Sequence, residues 1–132
     1  MAVPVTPRKV VRAHLLADPQ VAALVGDRIY YQTRPDGAEY PCIVLTTISD
    51  VPQRDLQGRA WTETRIQLTV MSQTEPGAET VARAVEQSLD GFAGLMAGAL
   101  QVIACRVDSS RPEYQEASGH THYLVDVLIS YK

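Results

Sequence analysis

Residues 61–91 read WTETRIQLTVMSQTEPGAETVARAVEQSLDG, and the hydrophobic period changes partway through them. From Trp61 to Ser72 the apolar side chains Ile66, Leu68 and Val70 recur at every second position, with Arg65, Gln67 and Thr69 between them. Successive strand residues point to opposite faces, so this pattern predicts a strand with one buried and one wet or partner-facing side. Thr74-Glu75-Pro76-Gly77 is a helix-start signal, and the spacing then becomes helical. Val81, Val85 and Leu89 stack at i, i+4 and i+8 with Ala78 and Ala82 alongside, which predicts a helix over 78–89. Glu79 and Arg83 form an i,i+4 pair on its flank, and Asp90-Gly91 stops it.

Working outward toward the N-terminus, Asp50 to Ala60 (DVPQRDLQGRA) is polar and carries Pro and Gly, and reads as a loop or the outer part of a long hairpin. Before it, CIVLTTIS at 42–49 is a β-branched run whose continuous apolar start suggests a central strand. Arg34-Pro35-Asp36-Gly37 is a turn, and Asp27 to Tyr31 a short strand. Thr6-Pro7 and Asp18-Pro19 each open a helix. The first carries Val10, Val11, His14 and Leu15; the second, shorter one carries Val21, Leu24 and Val25 and ends at Gly26.

On the C-terminal side, GFAGLMAG at 91–98 is expected to be a loose connection. Leu100 to Ser109 is predicted as a strand with Ile103, Cys105 and Val107 on one face, and Arg111 to Gly119 as a polar loop. The last strand, His120 to Tyr131, points Tyr123, Val125, Val127, Ile129 and Tyr131 one way and His122, Leu124, Asp126 and Leu128 the other. Leu124 and Leu128 then need cover from a second layer or a neighbouring subunit. The order α-(α)-β-β-β-α-β-β, with short links between successive strands, predicts an α+β fold: a mostly antiparallel sheet with helices packed on one face.

The chain has 132 residues, 45% of them hydrophobic and 20% charged, which suits one domain over 1–132 with its own core. The net charge of -3 excludes a generic nucleic-acid coat, which needs a basic excess. Ten of the twelve basic residues are Arg, the cation enriched at protein interfaces. No stretch approaches the ~18 apolar residues of a membrane span, and the N-terminus lacks a continuous apolar core of signal type. Folding in a cytoplasm is the default expectation. Cys42 and Cys105 sit in apolar runs and read as small buried hydrophobes.

Catalytic wording is sparse. There is no G-x-S-x-G elbow, no phosphate-binding P-loop and no dinucleotide fingerprint. His120 and His122 share a strand face, and Asp126 on the same face would complete a metal set, so a small metal-dependent enzyme is the rival reading from a different class. The stronger signal is the charge-balanced segment from Asp50 to Arg65, with Asp50, Arg54, Asp55, Arg59, Glu63 and Arg65 surrounding Leu56 and Trp61. Such composition suits protein contact better than phosphate binding, and Trp61, the sole Trp, is a candidate anchor. The candidate interface comprises Arg54, Leu56, Arg59, Trp61 and Arg65 in this segment, and Arg111, Glu113, Tyr114, His120 and His122 around the second loop.

Three segments together resemble the phage tail-completion, or tail-terminator, family. HLLADPQVAALVGDRIYYQTRPDGAEYPCIVLTTIS at 14–49 is similar to the family's opening, in which a helix runs through G-D-R-I-Y to a turn and a P-x-I/V-V strand ending in I-S. ETVARAVEQSLDGF at 79–92 is similar to its second helix, and Val107 through Ser109-Ser110-Arg111 to Tyr123-Leu124-Val125-Asp126 to its closing hairpin. The resemblance implies an α+β subunit in a homo-oligomeric ring, commonly a hexamer, that sits on the tail tube of a virion. The ring stops tube polymerisation and offers the surface onto which the head-side connector docks. DNA passes through the channel, and the particle is assembled in the host cytoplasm. The resemblance implies no enzyme activity, cofactor, metal or membrane partner. A different neck protein, a connector or stopper, is the nearest alternative.

Overall fold

A computed structural model describes residues 6–54, 56–58, 60–115 and 119–132. The chain folds as α1 (Pro7–Leu16), α2 (Pro19–Val25), β1 (Ile29–Tyr31), β2 (Cys42–Arg54), β3 (Ala60–Ser72), α3 (Glu75–Leu89), β4 (Gly94–Met96), β5 (Leu100–Gln115) and β6 (His120–Tyr131). The strands form one six-stranded sheet in the order β1-β2-β3-β6-β5-β4. All neighbours are antiparallel except β1 and β2, which run parallel with Ile29 opposite Ile43.

The helix starts follow the capping chemistry read from the sequence. Thr6 and Asp18 cap α1 and α2, the Asp18 carboxylate accepting from the Gln20 amide at 2.9 Å. Thr74 caps α3 and accepts from the Gly77 amide at 3.1 Å, so this helix begins at Glu75 rather than Ala78, with Pro76 and Gly77 inside its first turn. A Cβ on Gly77 would lie 2.7 Å from the Ser72 hydroxyl and 2.9 Å from that of Thr74, so glycine is what lets the strand end and the helix start sit this close.

One face of the sheet is the core. Ile43 and Leu45 of β2, Ile66, Leu68 and Val70 of β3, and Tyr123, Val125, Val127 and Ile129 of β6 bury against Val10, Val11 and Leu15 of α1, Val21 and Val25 of α2, and Val81, Val85 and Leu89 of α3. This is the α+β sandwich that the period change predicts. His14 joins α1 to α3: its ring nitrogen Nε2 donates to the Ser88 carbonyl at 3.0 Å, and the ring meets Phe92 edge-on at 5.0 Å.

The structure departs from the sequence reading in three places and settles one alternative. The segment 91–98 holds β4, a short edge strand whose Met96 is buried in the core opposite Leu100. Strand β5 continues through Arg111 to Gln115, so the second loop is shorter than expected. Strand β2 continues to Arg54, so Asp50 to Ala60 is the end of a long hairpin, the second of the two readings offered by its sequence. Finally, Ile103 does not share a face with Cys105 and Val107. A bulge between Val102 and Ala104 places Val102 and Cys105 in the core and leaves Ile103 43% exposed. An extra residue in one strand resets the alternation, which a period-two count cannot register.

Candidate interaction surface

The helix-free face of the sheet carries most of the residues singled out by the sequence. Its cross-strand rows follow from the register. Arg65, Leu128 and Arg106 are neighbours across β3, β6 and β5; Thr69, Leu124 and Arg111 form a second row; Met71, His122 and Glu113 a third. Leu124 and Leu128 are only 8% and 7% exposed although neither belongs to the helix-side core. The cover that they require comes from this chain: by register Arg65 and Arg106 flank Leu128 on either side, where long stems can lie along apolar surface while the charged heads stay wet.

Those heads are paired. Arg65 Nη1 donates to Asp108 at 2.9 Å and lies 3.8 Å from Asp126, and Arg106 Nη1 reaches the other oxygen of Asp108 at 3.3 Å. Asp126 also accepts from Gln67 Nε2 and Ser109 Oγ, each at 3.2 Å. Asp108 is the residue that the sequence reading missed, because it is the extra residue at a second bulge, between Val107 and Ser109, and its place on the face follows only from the register.

The two groups of predicted contact residues lie at opposite ends of the sheet. Arg54, Leu56 and Trp61 are at the β2–β3 hairpin end; Leu56 is fully exposed, and Trp61 is half-buried opposite Gln53 on the helix-free face. Glu113, Tyr114, His120 and His122 are at the β5–β6 hairpin end, since β6 runs from His120 there to Tyr131 opposite Thr62. Tyr114 is 64% exposed, and its cross-strand partner Thr121 is buried. The His120 ring sits 4.4 Å from that of Tyr40, which in turn stacks under Arg34. Arg59 lies outside the described residues. Arg65 and Arg111 sit between the two ends.

The metal-enzyme reading does not assemble. His122 and Asp126 share a face but are four residues apart on a strand, roughly 13 Å at ~3.3 Å per residue. Asp126 is instead held by Gln67, Ser109 and Arg65. Among the described residues no three His, Cys, Asp or Glu side chains converge on a metal position. Burial, chiefly, holds the His122 imidazole below its ordinary pKa; Glu113 across the strand pair pulls it upward and His120 adds a push downward. Both cysteines are buried free thiols, and burial pushes that of Cys105 up to about 12, which suits a packing role. No described helix is long and apolar enough to cross a membrane.

Among the described residues, the two groups of candidate contact side chains are held apart at the two ends of one sheet. The family model described as Tail completion protein gp17 matches residues 9–132.

The chain belongs to the tail completion protein gp17 family.

It is accordingly a structural tail protein of a phage or phage-like particle. No curated protein matches it. Among solved structures, a chain of "Virion of native gene transfer agent (GTA) particle" superposes with a TM-score of 0.75 at 19% identity, over 95% of this chain and 93% of that one. At that identity the likeness is one of fold. It covers nearly the whole chain, as does the family match over residues 9–132.

Proposed function

We propose that copies of this chain close into a ring, a hexamer by the family resemblance, that caps the tail tube. The ring ends tube polymerisation and presents the docking surface for the head-side connector, with DNA passing through its channel and assembly taking place in the host cytoplasm. The observation that carries this reading in a tail-completion family member is the placement of two chemically different hairpin ends at opposite ends of one sheet. One end offers exposed Leu56 and half-buried Trp61; the other offers His120, His122, Tyr114 and Glu113. A capping subunit needs this asymmetry. It must match the last tube ring on one side and must not reproduce the tube's own growing surface on the other. Subunits joined head to tail form a closed ring when the rotation between them closes.

The charge pattern supports passage of DNA rather than its retention. Arg65 and Arg106 are engaged by Asp108 and Asp126 instead of standing as a phosphate-binding stripe, and the chain is acidic overall.

The test is complementation of particles that lack this protein with a Leu56→Ser/Trp61→Ala variant whose thermal melt matches that of the wild type. Overlong tails assign the β2–β3 end to the tube, and tails of normal length without heads assign it to the connector. Normal tails joined to heads would sink the assignment of this hairpin end.

A further inference from the structure

Besides Leu56 and Tyr114, four large apolar side chains of the sheet stand exposed, and they form two pairs. Ile48 and Val51 are 51% and 46% exposed on β2; Leu95 and Ile103 are 58% and 43% exposed on β4 and β5. The pairs occupy opposite lateral edges of the sheet. Beyond Leu45, β2 has no outer partner strand among the described residues, and β4 closes the sheet at the other side. Alternation places all four on the helix-free side. Val51 is opposite Glu63, Leu95 is opposite Gln101 next to the buried pair of Met96 and Leu100, and Ile48 and Ile103 are the extra residues of two bulges, each following a residue whose side chain points to the helices.

The register adds that one member of each pair, Val51 and Ile103, lies at the same height. Val51 is level with Glu63, Glu63 with Ser130, and Ser130 with the bulge at Ile103 and Ala104. A row of side chains thus crosses the whole sheet and ends in an apolar residue at each side. Ile48 lies on one side of this row and Leu95 on the other.

Building on the ring reading above, we infer that Val51 of one copy packs against Ile103 of the next, with Ile48 and Leu95 flanking that contact on opposite sides. Exposed apolar groups paired in this way mark a contact surface. Two different patches on one chain make a head-to-tail contact, and with the ring axis along the strands the equal height of Val51 and Ile103 lets it repeat without axial climb, which is the condition for a closed ring rather than a filament. The contact is made by side chains rather than by continuing the β-ladder. Pro52 beside Val51 has no N–H to donate. Near Ile103 the outer backbone of β5 is already engaged: β4 pairs with Leu100–Val102, the Gly91 amide donates to the Cys105 carbonyl at 2.8 Å, and the Asp90 carboxylate accepts from the Val107 amide at 2.9 Å.

Particles assembled with a Val51→Cys/Ile103→Cys chain and treated with a short thiol-reactive crosslinker test the contact. Cys42 and Cys105 are buried at 0% and 2% exposure and serve as silent background. A covalent ladder that ends at the ring size and requires both substitutions is expected. Dimers from either single variant would show symmetric pairing and overturn the proposal. Particles with the chain incorporated in a ring but no ladder would overturn this interface and leave the ring intact. One copy per wild-type particle would overturn the ring itself. A charge-exchange series is read independently of the crosslink: Val51→Asp and Ile103→Lys each abolish incorporation, and together restore it. Normal incorporation of both single variants, or tube binding lost without loss of the ring, overturns the contact.

Discussion

Arg65 donates to Asp108 across 2.9 Å, tying β3 to β5 over the back of the intervening β6. Beneath that bridge lies Leu128, the cross-strand neighbour of Arg65, only 7% exposed on a face that no described helix covers. The pair thus closes a small apolar layer that the sheet would otherwise present to water.

If the arginine stem is the important part, its charge is the smaller term, because an ion pair this close to solvent contributes little. Arg65→Ala is expected to lower unfolding free energy by about 1 kcal/mol through exposure of Leu128. Arg65→Met should retain most of it. Urea denaturation measures both, and equal losses from the two variants would reverse the ranking of stem over charge.

Asp90 ends α3 and caps the edge of β5 by accepting from the Val107 amide. Asp90→Ala removes that acceptor at a cost of about 1 kcal/mol, and Asp90→Asn, which keeps an oxygen there, should cost less. Hydrogen exchange gives a local readout: the Val107 amide should lose protection in the Ala variant before the centre of β6 does.

Gly77 sits in the first turn of α3, where helix propensity alone favours alanine by about 1 kcal/mol. The close Ser72 and Thr74 hydroxyls reverse that preference. Making room for a Cβ displaces the Thr74 cap, so Gly77→Ala should destabilise by about 1 kcal/mol. A raised melting temperature would show that the cap can shift at no cost.

His122 makes stability depend on pH near neutrality. Its folded pKa is held below the ordinary 6.5. The unfolded chain therefore binds the proton more readily, and the contribution is fully present above 6.5 and lost as pH falls from there through the folded value. Chemical denaturation across this window should show declining stability in the wild type and a flatter profile in His122→Gln. Identical profiles would place the titrating group elsewhere.

Much of this architecture is local in origin and legible in the sequence. Thr6, Asp18 and Thr74 announce helix starts through side chains that bond amides two or three residues away, and the alternation of Ile66, Leu68 and Val70 declares which side of β3 is buried. The tail-completion resemblance drew on the same local patterns and agrees with the family match. Leu56 is likewise legible as an exposed hairpin residue, whereas Trp61 is half-buried.

Bulges and lateral neighbours were not legible. The extra residues Ile48, Ile103 and Asp108 shift the strand phase, and each becomes recognisable only when the partner strand shows two residues facing one. Leu124 and Leu128 call for a second layer or a neighbouring subunit on the period-two count, because the count does not show which side chains of β3 and β5 lie level with them. Residues 61–91 alone settle a strand, a turn and a helix, since period and capping act over a few residues. That Val51 and Ile103 end the same row is decided by the pairing of β2, β3, β6 and β5, a long-range register that no local pattern encodes.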